Sequence, residues 1–206
     1  RDHLALRYNY TLNSAWNSPN ASSMDGGTRS AYSRMSLYSM SFANSMYSMS
    51  NTVHTWSLDL NSRLSDNLSN QFLATFSKLD DIRGTNSDEF PFIDILDGSG
   101  DTNNYMALGY ELFTWNNAVH NTIANVKDDI TYYVGSHKIT AGLNFEYQMA
   151  DNQYMRNGTG YYRYKSLDDF LKKETPEIVC LTYGYTEDGV VETAPAARVQ
   201  FYKAGI

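Results

Sequence analysis

The stretch from Ile130 to Gln148 constrains this chain more than any other. Ile139, Ala141, Leu143, Phe145 and Tyr147 alternate with Thr140, Gly142, Asn144, Glu146 and Gln148. Side chains along a β-strand alternate between two faces, so one face is apolar and the other polar or small. Ile130-Thr131-Tyr132-Tyr133-Val134 reads as a preceding strand, joined to the first through a tight turn at Gly135-Ser136. Two environments produce such a hairpin: a soluble sheet with one face on a core, or an outer-membrane barrel with lipid outside and a wet lumen inside.

Composition narrows the field. Of 206 residues only 42% are hydrophobic, yet aromatics make up 14%, carried mostly by 17 Tyr. A Tyr ring is apolar and its tip polar, which suits binding clefts and membrane interfaces. Ser, Asn and Thr are abundant and helix formers sparse, so the chain reads as β-structure with long polar loops. A formal net charge of −7 argues against a nucleic-acid surface, which needs clustered Lys and Arg. The single cysteine, Cys180, cannot form an internal disulfide. Apolar runs such as Ile178-Val179-Cys180-Leu181 fall far short of the roughly 20 residues of a membrane helix. The chain opens at Arg1 and closes at Ala204-Gly205-Ile206 within a strand-like pattern, as expected of a piece of a longer protein.

The same alternation recurs elsewhere. Leu4, Leu6, Tyr8, Tyr10 and Leu12 alternate with Ala5, Arg7, Asn9, Thr11 and Asn13. Burying Arg7 and Asn9 in a dry core is costly, whereas facing a watery lumen is not. A second strand is expected over 52–62, with Trp56, Leu58 and Leu60 opposite Thr55, Ser57, Asp59 and Asn61. A third carries Phe72, Ala74 and Phe76, with Leu73 breaking the polar face. The fourth lies within 119–133, where Asp128 interrupts the apolar row, and the last begins near Arg198, with Phe201 as its clear apolar position. Tyr105 to Leu112 reads as a strand extension, and the Met- and Ser-rich segment 35–51 as a loop or strand extension. Turn signals stand at Ser18-Pro19-Asn20 and Asp25-Gly26-Gly27. Ser166-Leu167-Asp168-Asp169-Phe170-Leu171-Lys172-Lys173 has an N-cap, acids in the first turn and lysines in the last. That predicts a short helix near 166–173 packing Leu167, Phe170 and Leu171 against the loop.

Connections then alternate in length: long over 13–51, short over 63–69, long over 79–118, short over 134–137, long over 149–197. Short turns on one side and long loops on the other are the pattern of outer-membrane barrels. A β-sandwich has no reason to keep it.

Catalytic or metal chemistry finds little support. Asp97-Gly98-Ser99-Gly100-Asp101-Thr102-Asn103 alternates oxygen ligands as a calcium loop does, but Thr102 and Leu108 stand where the sixth-position Gly and twelfth-position Glu belong. His3, His54, His120 and His137 lack metal-site spacing. The neighbours Asp80-Asp81 and Asp128-Asp129 point to opposite strand faces. Cys180 has no evident His partner. The expectation is a protein that is not an enzyme, with no catalytic residue, no metal site and no cofactor.

Several stretches, in order, resemble the Oar-like TonB-dependent outer-membrane receptors of Bacteroidetes. They are Leu60 through Asn70, Asp80-Asp81-Ile82-Arg83, Asn116-Asn117, the hairpin Gly135 through Tyr147, and Ser166 through Leu171. The resemblance implies an all-β, antiparallel transmembrane β-barrel segment, part of a 22-stranded barrel, with residues 1–206 a portion of the barrel wall. The plug domain and remaining strands would lie outside this chain. It further implies location in the bacterial outer membrane, contact with its lipid, energy from the TonB complex through the plug region, and import of an unknown ligand. Strand parity makes Arg7, Asn9, Asp59, Asn144 and Glu146 the lumen-facing ligand-binding candidates. A soluble or surface-exposed β-sandwich that binds a glycan or protein stays open as the alternative.

Overall fold

The computed structural model describes residues 2–19 and 34–205. The strands in chain order are β1 (Asp2–Asn17), β2 (Met40–Ser41), β3 (Tyr47–Arg63), β4 (Leu68–Gly84), β5 (Phe92–Leu96), β6 (Asn104–Leu108), β7 (Ala118–Val134), β8 (His137–Gln153), β9 (Tyr161–Tyr164), β10 (Ile178–Cys180), β11 (Gly184–Tyr185), β12 (Val191–Glu192) and β13 (Ala196–Gly205). One helix, α1 (Leu167–Leu171), and a 3-10 turn at Ala43–Ser45 complete the described elements.

The long strands form one antiparallel sheet in the order β1-β3-β4-β7-β8-β13, every neighbour reached by the next long strand in the chain. The described strands do not close this sheet into a barrel, and β1 and β13 are its open edges. Cross-strand register carries the apolar alternation across the sheet in rows. Leu6, Leu58, Ala74, Val126, Phe145 and Ala204 are successive partners. The next row up is Tyr8, Trp56, Phe76, Ala124, Tyr147 and Tyr202, with Tyr8–Trp56, Trp56–Phe76 and Tyr147–Tyr202 ring centroids 5.2, 5.6 and 5.2 Å apart. A one-residue slip in any strand would scatter these rows to the opposite face, so the pattern itself holds the register.

The ends of the sheet differ as expected. Short turns join β3 to β4 over 64–67 and β7 to β8 at Gly135-Ser136, while long connections cover 18–46, 85–117 and 154–195 at the other end. Gly135 has φ +57 and Ser136 stays out of that region, the type II′ pattern whose twist matches the flanking strands. Gly142 is required for a different reason: a Cβ there would collide with the Asp129 carboxylate and the Asp128 carbonyl of β7.

Several expectations need correction. The strands run beyond their predicted ends, because hydrogen bonding to a neighbour extends a strand into sequence that is locally neutral. Asp80 and Asp81, expected in a loop, lie in β4 and pair with Thr52 and Asn51 of β3. The segment 105–112 is not an extension of a long strand. Its β6 belongs to a second, mixed sheet in the order β10-β9-β5-β6-β2, where β2–β6 and β5–β9 are parallel. The helix is shorter than 166–173. Ser166 caps it through Asp169 N, but Lys172 is its C-cap and Lys173 lies past its end at φ +60. Phe170 packs edge-on against Tyr164 at 5.2 Å, whereas Leu171 is exposed. The turn read at Asp25-Gly26-Gly27 lies outside the described residues. No helix among the described residues is long and apolar enough to cross a membrane.

Candidate functional site

The second sheet is assembled from three separate long connections, and with its flanking loops it forms a cap at one end of the long sheet. Its core is Phe92, Ala107, Leu112 and Tyr161, with Phe113, Ile178 and Cys180 packed against them. At its centre the fully buried Asp94 accepts four hydrogen bonds. Arg34 Nε and Nη2 donate at 2.9 and 2.7 Å, Asn104 Nδ2 at 2.8 Å and Tyr161 Oη at 2.9 Å. A buried carboxylate is tolerated only when paired and hydrogen-bonded in this way. Burial opposes the Arg34 charge, but the Asp94 carboxylate outweighs it and raises the guanidinium pKa. Burial, reinforced by the negative charge of Asp94, pushes the Tyr161 phenol far above its usual value and keeps its proton on the hydrogen bond.

A second hub ties the cap to the long sheet. Glu111 Oε2 accepts from Arg83 Nη2 at 2.8 Å, Thr114 Oγ1 at 2.7 Å and Phe113 N at 3.0 Å. Arg83 comes from the upper end of β4 and lies 3.7 Å over the ring of Tyr47 of β3. Both project from the same face as Asp59, so the cap is anchored on the polar side of the sheet.

All five lumen-facing candidates share that polar face, but they do not converge. Arg7 and Glu146 lie in one row, separated by Ser57, Thr75 and Asn125. Four strand spacings put them roughly 19 Å apart. Asp59 and Asn144 lie in the adjacent row with Leu73 and Lys127 between them. Asp59 accepts from Asn61 Nδ2 at 2.7 Å, and Glu146 stands opposite Lys203. Asn9 heads a third row that ends in Phe201. The arrangement is a wall of spaced polar groups rather than a pocket.

Sequence reasoning missed one feature of this wall. Besides Leu73, the polar face carries Val53 and Leu79 as direct partners with Ile123 diagonal to Leu79, and Val199 near Phe201 on β13 beyond Asn121 and Ala150. Parity in each strand was legible, but the adjacency of these residues depends on register. On the opposite face Asp128 breaks the apolar row, where Asn70 Nδ2 donates to its Oδ1 at 2.5 Å. In the cap, Asp97 Oδ1 accepts from Ser99 N at 2.9 Å and Ser99 Oγ at 2.6 Å, and these bonds hold its carboxyl below the usual range. Cys180 Sγ accepts from Asn157 Nδ2 at 3.4 Å. Among the described residues no three His, Cys, Asp or Glu side chains are grouped to hold a metal ion.

The fold places this chain among mostly-β proteins built on antiparallel sheet. Comparison with protein-family models, curated proteins and solved structures finds no match.

Proposed function

We propose that this chain is a wall segment of a TonB-dependent outer-membrane transporter, with the cap at the extracellular mouth and the polar face lining the path of an imported ligand. The observation that carries the reading is the uncovered apolar face of the long sheet. Leu6, Leu143, Phe145 and their row partners face outward, and no second sheet among the described residues packs over them. A β-sandwich covers such a face with its partner sheet. In a membrane barrel lipid covers it instead.

Magnitudes favour the same reading. On β8 the apolar row from Ile139 to Tyr147 advances eight residues, about 27 Å along the strand. Tilted by about 45°, that is roughly 19 Å in height, close to the ~25 Å apolar band of such barrels once the end side chains are added. Aromatic rings at its upper edge fit the interfacial girdle. Residues over 60–70 and 135–147 that resemble Oar-like receptors add the transport assignment. In this reading the open edges β1 and β13 pair with further strands, since a long unpaired apolar edge invites aggregation.

The test is heat-modifiable gel mobility of the intact protein extracted from outer membranes, followed by uptake assays with and without TonB. A protein that stays in aqueous solution without detergent, with no mobility shift on boiling, sinks the proposal.

A further inference from the structure

Above the apolar band the outward face carries a row of a different kind. Asp80, His120, Asp151 and Arg198 are direct cross-strand partners on β4, β7, β8 and β13. Lys78 lies two residues nearer the band on β4. His120 Nδ1 is 2.6 Å from Asp80 Oδ1, and Lys78 Nζ is 3.6 Å from Asp80 Oδ2. Arg198 donates to Asp151 Oδ2 from Nη2 at 2.7 Å and from Nε at 3.1 Å.

The charges in this row are unequally exposed. The Lys78 and Arg198 side chains are 53% and 61% exposed, while those of Asp80 and Asp151 are 19% and 9%. Carboxylates stand behind and cations in front, so a row of balanced charge presents its positive ends outward. Half-exposed ion pairs add little to folding, so strand pairing alone does not account for four charged or titratable side chains in register.

Height decides what the cations meet. Lys78 is two residues and Asp80 four residues beyond Phe76 of the aromatic row, roughly 5 and 10 Å above it at ~3.4 Å per residue and a tilt of about 45°. The headgroup layer of a bilayer is roughly 5–8 Å thick on each side, and Lys and Arg side chains reach along it from apolar stems. We propose that this row docks lipid headgroups of the outer leaflet that carry exposed anionic phosphomonoesters, which zwitterionic phosphatidylcholine lacks. Lys78 and Arg198, three strand spacings or roughly 14 Å apart across the sheet, contact separate phosphates, and Asp80 and Asp151 hold the two cations in place. His54, cross-strand partner of Lys78, and His120 supply further donors at the same level. The proposal rests on the membrane reading above.

The experiment places the intact protein in nanodiscs of phosphatidylcholine alone, or of phosphatidylcholine mixed with phosphorylated lipid A, and counts retained lipid by native mass spectrometry. Arg198→Gln keeps a donor for Asp151 across β13 and β8, and Lys78→Gln keeps one for Asp80 within β4. Wild type is expected to retain lipid A selectively, with about a fivefold loss for each substitution and about 25-fold for the pair. Lys127→Gln, on the polar face, serves as the control and leaves retention unchanged. Equal retention by the double variant and wild type, or no selectivity in wild type, overturns the docking site. Heat-modifiable mobility is read on the same samples. Its absence in wild type overturns the membrane reading as well, whereas its presence without selectivity overturns the docking site alone.

Discussion

Leu143 and Phe92 both lie within β-strands, yet Leu143 on the long sheet is 64% exposed and Phe92 in the cap is fully buried. The contrast extends to the two regions as wholes. Nearly all buried side chains among the described residues belong to the cap and its connections, while the long strands contribute Ala118 and Asp151 at their upper ends. The cap is a small folded unit with its own core and a hub in which both carboxylate oxygens of Asp94 are hydrogen-bonded. The long sheet has regular hydrogen bonding and an ordered apolar face but no core. In the proposed reading, lipid supplies the apolar burial that this sheet lacks.

This contrast can be broken or sharpened at four points. The largest effect is expected at the Asp94 hub. Arg34→Met leaves a buried carboxylate without its cation and should destabilise the cap by about 3–5 kcal/mol. Hydrogen exchange should then accelerate over 92–96 and 161–164 with little change in β3, β4, β7 and β8. Adding Asp94→Asn should recover part of the loss. If exchange in the long strands rises equally, the two regions are one cooperative unit and the contrast fails.

Next comes the parity of the sheet. Phe145→Arg should cost about 2–4 kcal/mol of membrane stability if the residue lies near the bilayer midplane, whereas Glu146→Arg should be close to neutral. Urea titration of the protein folded in lipid vesicles measures both. Similar costs at the two neighbours would mean that neither face is lipid-exposed.

Tyr161→Phe removes a hydrogen bond to a buried charge and should cost about 1.5–3 kcal/mol. It also has a pH signature. The folded-state phenol pKa is raised, so this contribution is fully present below the unfolded value of about 10 and is lost as pH rises above it. The wild-type cap should loosen in alkali in that window, and the Tyr161→Phe variant should lack this component. Matching alkaline profiles of cap amide exchange would remove the phenol from the hub's account.

The smallest effect belongs to α1. Ser166→Ala removes the N-cap bond to Asp169 N and should cost about 1 kcal/mol, visible as faster exchange confined to 167–173. Spread of that change into β9 would show that the helix supports the cap core.

The long strands were legible because their evidence is local. Leu4 through Leu12, Trp56 through Leu60 and Ile139 through Tyr147 each announce a period of two, and Gly135 announces its turn. The helix was legible from Ser166 and its acids for the same reason, although its end was placed two residues late. The cap was not legible. Its strands run from two residues in β2 to five in β5 and β6, too short for periodicity, and β6 looked like part of a longer element. The five lumen-facing candidates do share one face, as parity implied, but their distances from one another were invisible before register was known.

The amino-acid sequence by itself determined which residues share a strand face, where the tight turn falls and that connections alternate in length. All three follow from backbone geometry within a few residues. Only the tertiary structure decided that Arg34 meets Asp94 across 60 residues and Tyr161 meets it across 67. It likewise aligned Asp80, His120, Asp151 and Arg198 into one row. Period-two alternation says which way a side chain points, but strand order and register say what stands beside it.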